Sequence, residues 1–161
     1  MIVNKEDALY FSVVDYIIKD KTFRKTANFQ HHGTTRLRHS MRVSYLSYKI
    51  AKKLGLNQKV AAISGLLHDF YLQDESKGFS NFMKFQKLHP KIAAANAIKH
   101  FKVSDKEKEI IETHMWPFTK PSKSLEGWIV SLTDKTVGAY EYSIKFRKAL
   151  SYRLKKKQSQ I

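Results

Sequence analysis

Apolar residues recur at steps of three and four along most of this chain, which is the spacing of one face of an α-helix. Residues 6–19 form the first such segment. Its predicted buried face comprises Leu9, Val13, Tyr16 and Ile17. The polar stretch from Lys21 to Arg38 predicts a loop with room for one helical turn. Hairpin signals such as Asn-Gly or Asp-Gly between alternating runs are missing from the sequence, so the pattern predicts an all-α fold.

The second helix is predicted from about Arg36 to Leu54, where apolar positions again recur at steps of three and four. Its predicted buried face comprises Val43, Leu46, Ile50 and Leu54. Gly55 follows as the kind of residue that ends a helix in the left-handed conformation. His39 lies four residues before Val43, so we expect its imidazole on the buried face.

The middle of the chain contains one helix that is clear and one segment that is ambiguous. Residues 58–71 predict a helix whose small side chains would let another helix approach closely. Residues 72–88 fit either a short helix or a loop. The His89-Pro90 pair should then start a helix, because proline is favoured at the first helical position.

Two further helices are predicted towards the C-terminus. Ser104 and Glu107 form a Ser-x-x-Glu capping box that opens one of them, and a proline ends it. Residues 125–140 are apolar nearly all round, which is typical of a helix buried at the centre of a domain. Asp134 lies in the middle of this helix, where a buried carboxylate needs a partner, and Lys135 is the one basic residue close by in sequence.

The composition narrows the chemistry that this chain can perform. Its 161 residues, 42% of them apolar, suit one domain with a real core. The absence of cysteine excludes disulfides, iron–sulfur clusters, thiolate zinc sites and a cysteine nucleophile. A metal would therefore need histidine and carboxylate ligands.

The N-terminus lacks the pattern of a secretory signal and no apolar run approaches about 18 residues, so we expect a cytoplasmic protein without a membrane span.

The net charge of +16 favours polyanionic partners such as nucleotides or nucleic acid. The excess is concentrated near the C-terminus, where residues 145–161 contain seven basic residues and no acidic one. This segment is typical of a solvated helix end with a frayed tail, and weak nucleic-acid affinity is the alternative. We expect a single domain over residues 1–161, with a motif-bearing core at about 33–142 and a basic C-terminal helix and tail at 143–161.

Four histidines and two aspartates are predicted at the inner faces or ends of five different helices: His39, His68, Asp69, His89, His114 and Asp134. Taken singly, each is typical of a core or capping residue. Burying all of them is costly unless they share partners, and a metal centre would satisfy all six at once. Neutral imidazole and carboxylate suit first-row divalent metals. The remaining histidines, His31, His32 and His100, are interpreted as surface or loop residues, although His31 and His32 could help to bind a substrate.

The order of these residues resembles that of the HD-domain metal-dependent phosphohydrolase superfamily over about residues 33–142. The phrases that carry the resemblance are His39-Ser-Met-Arg-Val, Gly65-Leu-Leu-His-Asp, Leu88-His-Pro, Glu112-Thr-His and Leu132-Thr-Asp-Lys. Similar phrases occur in small stand-alone HD proteins, including bacterial diadenosine tetraphosphate hydrolases. The resemblance implies a single compact helical bundle that cleaves a small phosphorylated substrate, such as a nucleotide.

The resemblance also implies roles for the six residues. His39, His68, Asp69 and Asp134 would hold one divalent ion. His89 and His114 would complete a second site, with Asp69 bridging two ions and acting on the activated water. The ligand types do not distinguish Fe, Mn, Co, Ni, Zn or Mg.

One departure from the family pattern concerns the residues that contact phosphate. Many relatives follow the His-Asp pair with glycine and a basic residue, whereas this chain continues Phe-Tyr-Leu-Gln-Asp. The candidates for that role are Lys135, Arg42, Lys77 and Arg38. The substrate pocket could include Phe79, Phe82 and Phe85, as a lid or stacking surface for a nucleobase, or these residues could belong to the core.

Two other classes of function stay open at the level of sequence. One is a non-catalytic module of the same fold that binds nucleic acid or nucleotides through its basic surface. The other is a metal-dependent oxygenase or lyase on the same helical bundle, because one fold can host several chemistries. Oligomeric state is not readable from these patterns.

Overall fold

α-Helices make up about three quarters of the chain that the computed structural model describes. The model describes residues 5–31, 33–73 and 79–158, with side chains for 8–31, 33–73 and 81–152. The elements are α1 (Lys5–Ile18), α2 (Lys21–Arg24), a 3-10 turn (Lys25–Asn28), β1 (Gln30–His31), β2 (Thr34–Thr35), α3 (Arg36–Lys53), α4 (Gln58–Leu67), α5 (Phe79–Phe101), α6 (Asp105–Thr113) and α7 (Leu125–Gln158). The prediction of an all-α fold is confirmed, since the described part contains one sheet of only two short strands. Within these ranges, no helix combines the length and apolar content needed to cross a bilayer.

The segment between α1 and α3 is more ordered than a loop. It holds α2, the 3-10 turn and an antiparallel hairpin in which Gln30 pairs with Thr35 and His31 with Thr34. Gly33 adopts a φ of 90° there, which a glycine tolerates at a tight turn. The hairpin leads directly into α3, whose N-terminus is capped by Thr35.

Helix α1 is rotated relative to the prediction. Leu9 and Tyr16 are 48% and 52% exposed, whereas Tyr10 and Val14 lie in the core with Ile17. The reason is that Tyr10 packs its ring against the rings of Tyr45 and Tyr48 and donates its hydroxyl proton to Ser44 Oγ at 2.9 Å. An amphipathic side chain thus takes the inner position.

Helix α3 buries a largely polar and small-residue face. Val43 is fully buried as predicted, but Leu46, Ile50 and Leu54 are exposed. The buried face instead consists of Arg36, His39, Ser40, Val43, Ser44, Ser47, Tyr48 and Ala51. Small residues there let α4 come close: a Cβ on Gly65 would lie 3.1 Å from Ser44 Cα. The close approach expected of the small residues in α4 is confirmed, and so is the left-handed Gly55 after α3, with φ 68°.

Helix α4 ends at Leu67 rather than at about residue 71, because the chain turns at His68 and Asp69. The prediction that a helix starts at His89-Pro90 is wrong. Helix α5 already begins at Phe79 and continues through Pro90 to Phe101. Proline lacks an N–H, so the carbonyl of Gln86 loses its helical partner, but the helix tolerates that loss. His89 therefore lies in mid-helix.

The capping box of Ser104 and Glu107 is confirmed at the start of α6. Helix α7 is longer than predicted, because it continues to Gln158 instead of ending near residue 140. It is also less deeply buried, since Leu125 and Leu132 are 63% and 56% exposed. One face points inward and carries Val130, Ser131, Asp134, Val137 and Glu141. The basic residues 145–148 are helical and exposed, as expected of a solvated helix end.

Candidate metal centre

The six residues singled out by the sequence lie together at the centre of the bundle, and all are buried. His39 comes from α3, His68 and Asp69 from the turn after α4, and His89 from the middle of α5. His114 caps the C-terminus of α6, and Asp134 lies in α7. Five separate segments of chain therefore supply one polar cluster inside an apolar domain.

The carboxylate of Asp69 is the hub of this cluster. Its Oδ1 lies 3.5 Å from His89 Nε2 and 3.7 Å from His114 Nε2. Its Oδ2 lies 3.4 Å from His68 Nε2 and 3.3 Å from His31 Nε2. Each oxygen of one carboxylate thus faces two imidazole nitrogens.

The second carboxylate, Asp134, joins the α3 side of the cluster. Its Oδ1 lies 2.9 Å from His39 Nε2 and 3.4 Å from His68 Nε2. Because His68 Nε2 faces oxygens of both Asp69 and Asp134, it lies between the two carboxylates. The partners that the sequence predicts Asp134 to need are therefore histidines that are distant in sequence.

Backbone carbonyls fix the tautomer of three of these histidines. The Nδ1 atoms of His68, His89 and His114 lie 2.8, 2.9 and 2.8 Å from the carbonyl oxygens of Gly65, Phe85 and Ile111. A carbonyl oxygen only accepts, so each Nδ1 carries the proton and donates it. In the neutral ring, each Nε2 then turns a lone pair towards the centre of the cluster.

Those lone pairs are poorly satisfied by the protein alone. His68 Nε2 is buried and has no hydrogen-bond partner among the residues that the structure describes. His89 Nε2 and His114 Nε2 lie 3.2 Å apart. If both rings are neutral, the lone pairs of these two nitrogen atoms face each other and neither atom can donate a hydrogen bond. A cation between these atoms would satisfy all of them at once.

The spacing of the atoms also fits a divalent ion. Two ligands about 2.1 Å from an ion and about 90–110° apart are separated by about 3.0–3.4 Å, which is close to the distances given above. Three groups of buried side chains have ligand atoms within 4.8 Å of one another: His31, His39 and Asp69; His39, His68 and Asp134; and His68, Asp69 and His114. The donor set of imidazole and carboxylate is the one that first-row divalent metals accept.

Both carboxylates stay ionised in this environment. Burial opposes ionisation of Asp69, but the surrounding imidazoles, His68 first, hold its pKa well below the ordinary range. Burial likewise opposes ionisation of Asp134, yet the hydrogen bond from His39 and the electrostatic effect of the nearby His68 ring hold its pKa well below the ordinary value. The centre therefore presents two negative charges to a cation.

The pKa values of His39 and His114 are shifted in opposite directions. Burial favours the neutral ring of His39, but the hydrogen bonds to Asp134 and Glu141 outweigh it and raise the pKa to about 10. Burial, together with the neighbouring rings of His68 and His89, lowers the pKa of His114 to about 3. In the metal-free protein the α3 side of the cluster thus carries the positive charge, and His114 stays neutral.

Two residues that hold parts of the cluster in place were not predicted from the sequence. Glu141 Oε2 accepts a hydrogen bond from His39 Nδ1 at 2.8 Å and is itself paired with Arg42. Glu141 is seven residues after Asp134, so the two lie on one face of α7, and this spacing could have identified it. Arg36 is fully buried and donates to the carbonyls of Tyr71 and Gln73 at 2.8 and 3.1 Å, which holds the segment that follows Asp69.

A cleft of about 410 Å³ opens over the centre. Its floor includes Asp69, His89, His114 and Asp134, and Lys135 lies at its edge. Its aromatic lining consists of Tyr71, Phe82, Phe85, Phe118 and Tyr142. The expectation that His31 is a surface or loop residue is wrong, because His31 is buried in β1. His31 lines this cleft, where the alternative role in a substrate pocket would place it. His100 is exposed, as expected.

The structure does not bring every candidate to the cleft. Arg42 is paired with Glu141 on the outer side of His39, and Arg38 in the first turn of α3 is not among the lining residues. Lys77 and His32 lie outside the described residues, as does the side chain of Phe79. Among the candidates for phosphate contact, Lys135 is the one that the structure places at the cleft.

The fold and the site together define a class of protein: a helical domain with a buried cluster of histidines and aspartates. The family profile of the HD domain matches residues 36–138, and the chain belongs to the HD domain family. This family lies within a superfamily of metal-dependent phosphohydrolases. A comparison with curated proteins found no match. The narrower resemblance to diadenosine tetraphosphate hydrolases therefore stays a prediction from the sequence.

Proposed function

We propose that this protein is a metal-dependent phosphohydrolase that cleaves a small phosphate ester or anhydride, with a nucleotide as substrate. The observation that carries the proposal is the set of imidazole Nε2 atoms that converge on the two oxygens of Asp69, which is buried and ionised. Membership of the HD domain family supports the same reaction class.

His39, His68, Asp69 and Asp134 would hold one divalent ion, and His89 and His114 would hold a second one, with Asp69 between the two. When bound, such ions supply positive charge that makes water acidic enough to attack at neutral pH and that neutralises phosphoryl oxygens. The tautomers of His68, His89 and His114 are set by backbone carbonyls, so these rings need no rearrangement to act as ligands.

Lys135 would bind a non-bridging phosphoryl oxygen at the edge of the cleft. Its Nζ donates to the carbonyl of His114 at 3.0 Å and to Ser131 Oγ at 2.9 Å, which fixes the ammonium beside the centre. Partial burial lowers the pKa of Lys135, although the nearby charge of Asp134 opposes this. An ammonium has three donors. Because the carbonyl of Ser131 also lies 3.2 Å from Nζ, a phosphoryl oxygen would replace one of these three acceptors.

The walls of the cleft suit a substrate with a phosphoryl group next to a flat, apolar group. Lys135 is the single lysine or arginine among the described residues that line it. The aromatic rings of Tyr71, Phe82 and Phe118 offer a stacking surface for a nucleobase.

The experiment is a hydrolysis screen on protein loaded separately with Mn²⁺, Fe²⁺, Co²⁺, Ni²⁺, Zn²⁺ and Mg²⁺. The substrates are nucleoside monophosphates, dinucleotide polyphosphates and simple phosphate esters. We expect phosphate release by wild-type protein, loss of at least 100-fold in Asp69→Asn, and unchanged activity in Asp105→Asn, which alters an exposed carboxylate of α6. Absence of hydrolysis by wild-type protein with every metal and substrate would overturn the proposal.

Nucleic-acid binding is a second candidate function, favoured by the exposed end of α7. Phe146 and Tyr152 are each 70% exposed there, among the basic side chains of Arg147 and Lys148. Aromatic and basic side chains together suit single-stranded nucleic acid. Binding to an oligonucleotide should weaken with salt and should weaken further in Arg147→Gln/Lys148→Gln, whereas Asp69→Asn should leave it unchanged.

A further inference from the structure

His31 lies at the centre although it belongs to none of the segments that supply the other ligands. Its ring is buried, and its Nε2 lies 3.3 Å from Asp69 Oδ2. Its ring centroid lies 4.6 Å from that of His39. The same carboxylate oxygen lies 3.4 Å from His68 Nε2, so His31 and His68 stand in equivalent positions relative to Asp69.

The hairpin positions this side chain. Successive residues of a strand point to opposite faces, and in β1 Gln30 is exposed while His31 is buried. Pairing of His31 with Thr34 fixes the strand, and the backbone N–H of Arg36 donates to the carbonyl of Phe29 at 2.9 Å just beyond it. His31 is therefore presented to the cluster by a closed backbone structure.

We propose that His31 is a further protein ligand of the ion held by His39, His68, Asp69 and Asp134. The proposal rests on the metal centre of the proposed function. Ligand atoms of His31, His39 and Asp69 lie within 4.8 Å of one another, as those of His39, His68 and Asp134 also do. The two groups share His39, and His31 faces the oxygen of Asp69 that also faces His68.

This ligand makes the two sides of Asp69 unequal. On the Oδ2 side, three imidazoles and two carboxylates would share one ion: His31, His39, His68, Asp69 and Asp134. On the Oδ1 side, His89 and His114 are the imidazoles that face Asp69. The first site is nearly filled by protein, whereas the second keeps positions for substrate and water, as catalytic sites require. The ion on the Oδ2 side would bind more tightly.

Metal binding would also fasten the hairpin to the bundle. The hairpin joins α3 to the segment before it, and a bond from His31 to the ion would add a link between β1 and residues of α3 and α4. Backbone amides of residues 29–36 should therefore exchange with deuterium more slowly after Co²⁺ is added. This slowing should disappear in His31→Gln.

Titration with Co²⁺ tests the proposal directly. The variants are His31→Gln and, as the matched control, His100→Gln, which alters an exposed histidine of α5. We expect the tighter Co²⁺ affinity to fall by about 10-fold or more in His31→Gln and to be unchanged in the control. Circular dichroism of the metal-free proteins establishes that both variants are folded.

Proton NMR of the Co²⁺ protein provides a second readout that needs no activity. An imidazole bound to Co²⁺ through Nε2 retains an exchangeable Nδ1 proton, which the paramagnetic ion shifts far downfield. The wild-type spectrum should contain one such signal that is absent from His31→Gln and present in His100→Gln. Histidine labelled in its ring nitrogens identifies each shifted wild-type signal as an imidazole proton. The number of such signals in wild type, which should include one for His31 beside those of the other ligands, tests the proposal even if a His31 variant fails to fold.

Three results are informative. A shifted His31 proton with the fall in affinity supports the proposal. Equal Co²⁺ affinity and an unchanged set of shifted protons in wild type and His31→Gln overturn it, while the metal centre itself stands. Failure of wild-type protein to bind Co²⁺ overturns both this proposal and the metal centre of the proposed function.

Discussion

His39 is held from both sides of its ring, and this makes it the most constrained imidazole of the cluster. Its Nε2 faces Asp134 at 2.9 Å, and its Nδ1 donates to Glu141 at 2.8 Å. A carboxylate behind a ligating imidazole orients the ring and increases its basicity. Glu141 thus belongs to the metal centre although it lies outside the set of ligands.

Replacing Glu141 with alanine should weaken binding of divalent metal by about 10- to 100-fold. The physical reason is that His39 Nδ1 loses its acceptor and the ring its fixed orientation. Competition with a chromophoric chelator measures the affinity, and Glu112→Ala, on α6, serves as the matched control. An affinity that is unchanged in Glu141→Ala would show that His39 is not a ligand or needs no support.

Lys135 is the side chain on which phosphate affinity should depend. Lys135→Met should weaken binding of inorganic phosphate by about 10-fold or more, since hydrogen bonds to charged groups are worth about 1.5–3 kcal/mol. The metal affinity should change by less than about threefold. Calorimetric titration of the metal-loaded protein with phosphate gives the phosphate affinity, and titration of the metal-free protein with the metal gives the metal affinity. The control is Lys99→Met, which alters an exposed lysine of α5. Equal phosphate affinity in the two variants would remove Lys135 from the site.

At the scale of residues, the sequence allowed prediction of the side chains that have metal-ligand chemistry and lie on the inner faces or ends of helices. The six histidines and aspartates were identified because polar groups on apolar faces need a common partner. His31 was not, because a two-residue strand has no periodicity from which burial can be read. Arg36 was not, because its partners are backbone carbonyls some 35 residues away, which leave no mark on side-chain pattern.

At the scale of elements, apolar spacing identified the helices but not their rotation about their own axes. In α1 the inner stripe contains Tyr10 instead of Leu9, because the tyrosine ring packs edge to face against Tyr45 and Tyr48 and its hydroxyl donates to Ser44. In α3 the leucine and isoleucine stripe lies outside, because serines allow α4 to approach. The rotation of both helices is therefore set by contacts between elements, which cannot be predicted from the sequence of one helix alone.

The close packing of α3 and α4 makes Gly65 sensitive to substitution. A Cβ there would lie 3.1, 3.3 and 3.4 Å from backbone atoms of Ser44 and Val43, which cannot rotate away. Gly65→Ala gains about 1 kcal/mol of helix propensity, but we expect a net loss of about 1–2 kcal/mol in unfolding free energy from overpacking. Urea denaturation measures it.

The control for that substitution is Ala95→Ser, which adds one atom on an exposed face of α5. It should change the unfolding free energy by less than about 0.5 kcal/mol. Because His39 and His68 are carried by the two helices that would be pushed apart, metal affinity should also fall in Gly65→Ala. A more stable Gly65→Ala protein would contradict the packing described for this pair.

Tyr10, which ties α1 to α3, should give the stability a dependence on alkaline pH. Burial raises the pKa of Tyr10 from 10.0 to about 12. The folded pKa is above the unfolded one, so the stabilisation is complete below pH 10 and is lost as the pH rises towards 12. Between about pH 9 and about pH 11, wild type should lose about 1 kcal/mol relative to Tyr10→Phe. Parallel loss in both proteins would contradict this.

At the scale of the whole molecule, part of the metal centre and part of the excess positive charge belong to one helix. Helix α7 links the two, since it contributes Asp134 and Glu141 to the centre and carries the basic residues at its exposed end. The sequence predicted the order of the helices and the convergence of the six residues. The walls of the cleft were predicted in part, through Phe82, Phe85 and Lys135. The other aromatic walls, Tyr71, Phe118 and Tyr142, could not be predicted, because they come from three segments whose meeting depends on the packed fold.

The claim on which the whole account depends is that divalent cations lie on both sides of the Asp69 carboxylate. Anomalous diffraction from crystals grown with Mn²⁺ tests it most directly. We predict two peaks inside the bundle, one near each oxygen of Asp69 and each within about 2.6 Å of it, with the Oδ2 peak also close to His31. Well-ordered crystals with no anomalous peak among these side chains, or with peaks only at the protein surface, would contradict the account.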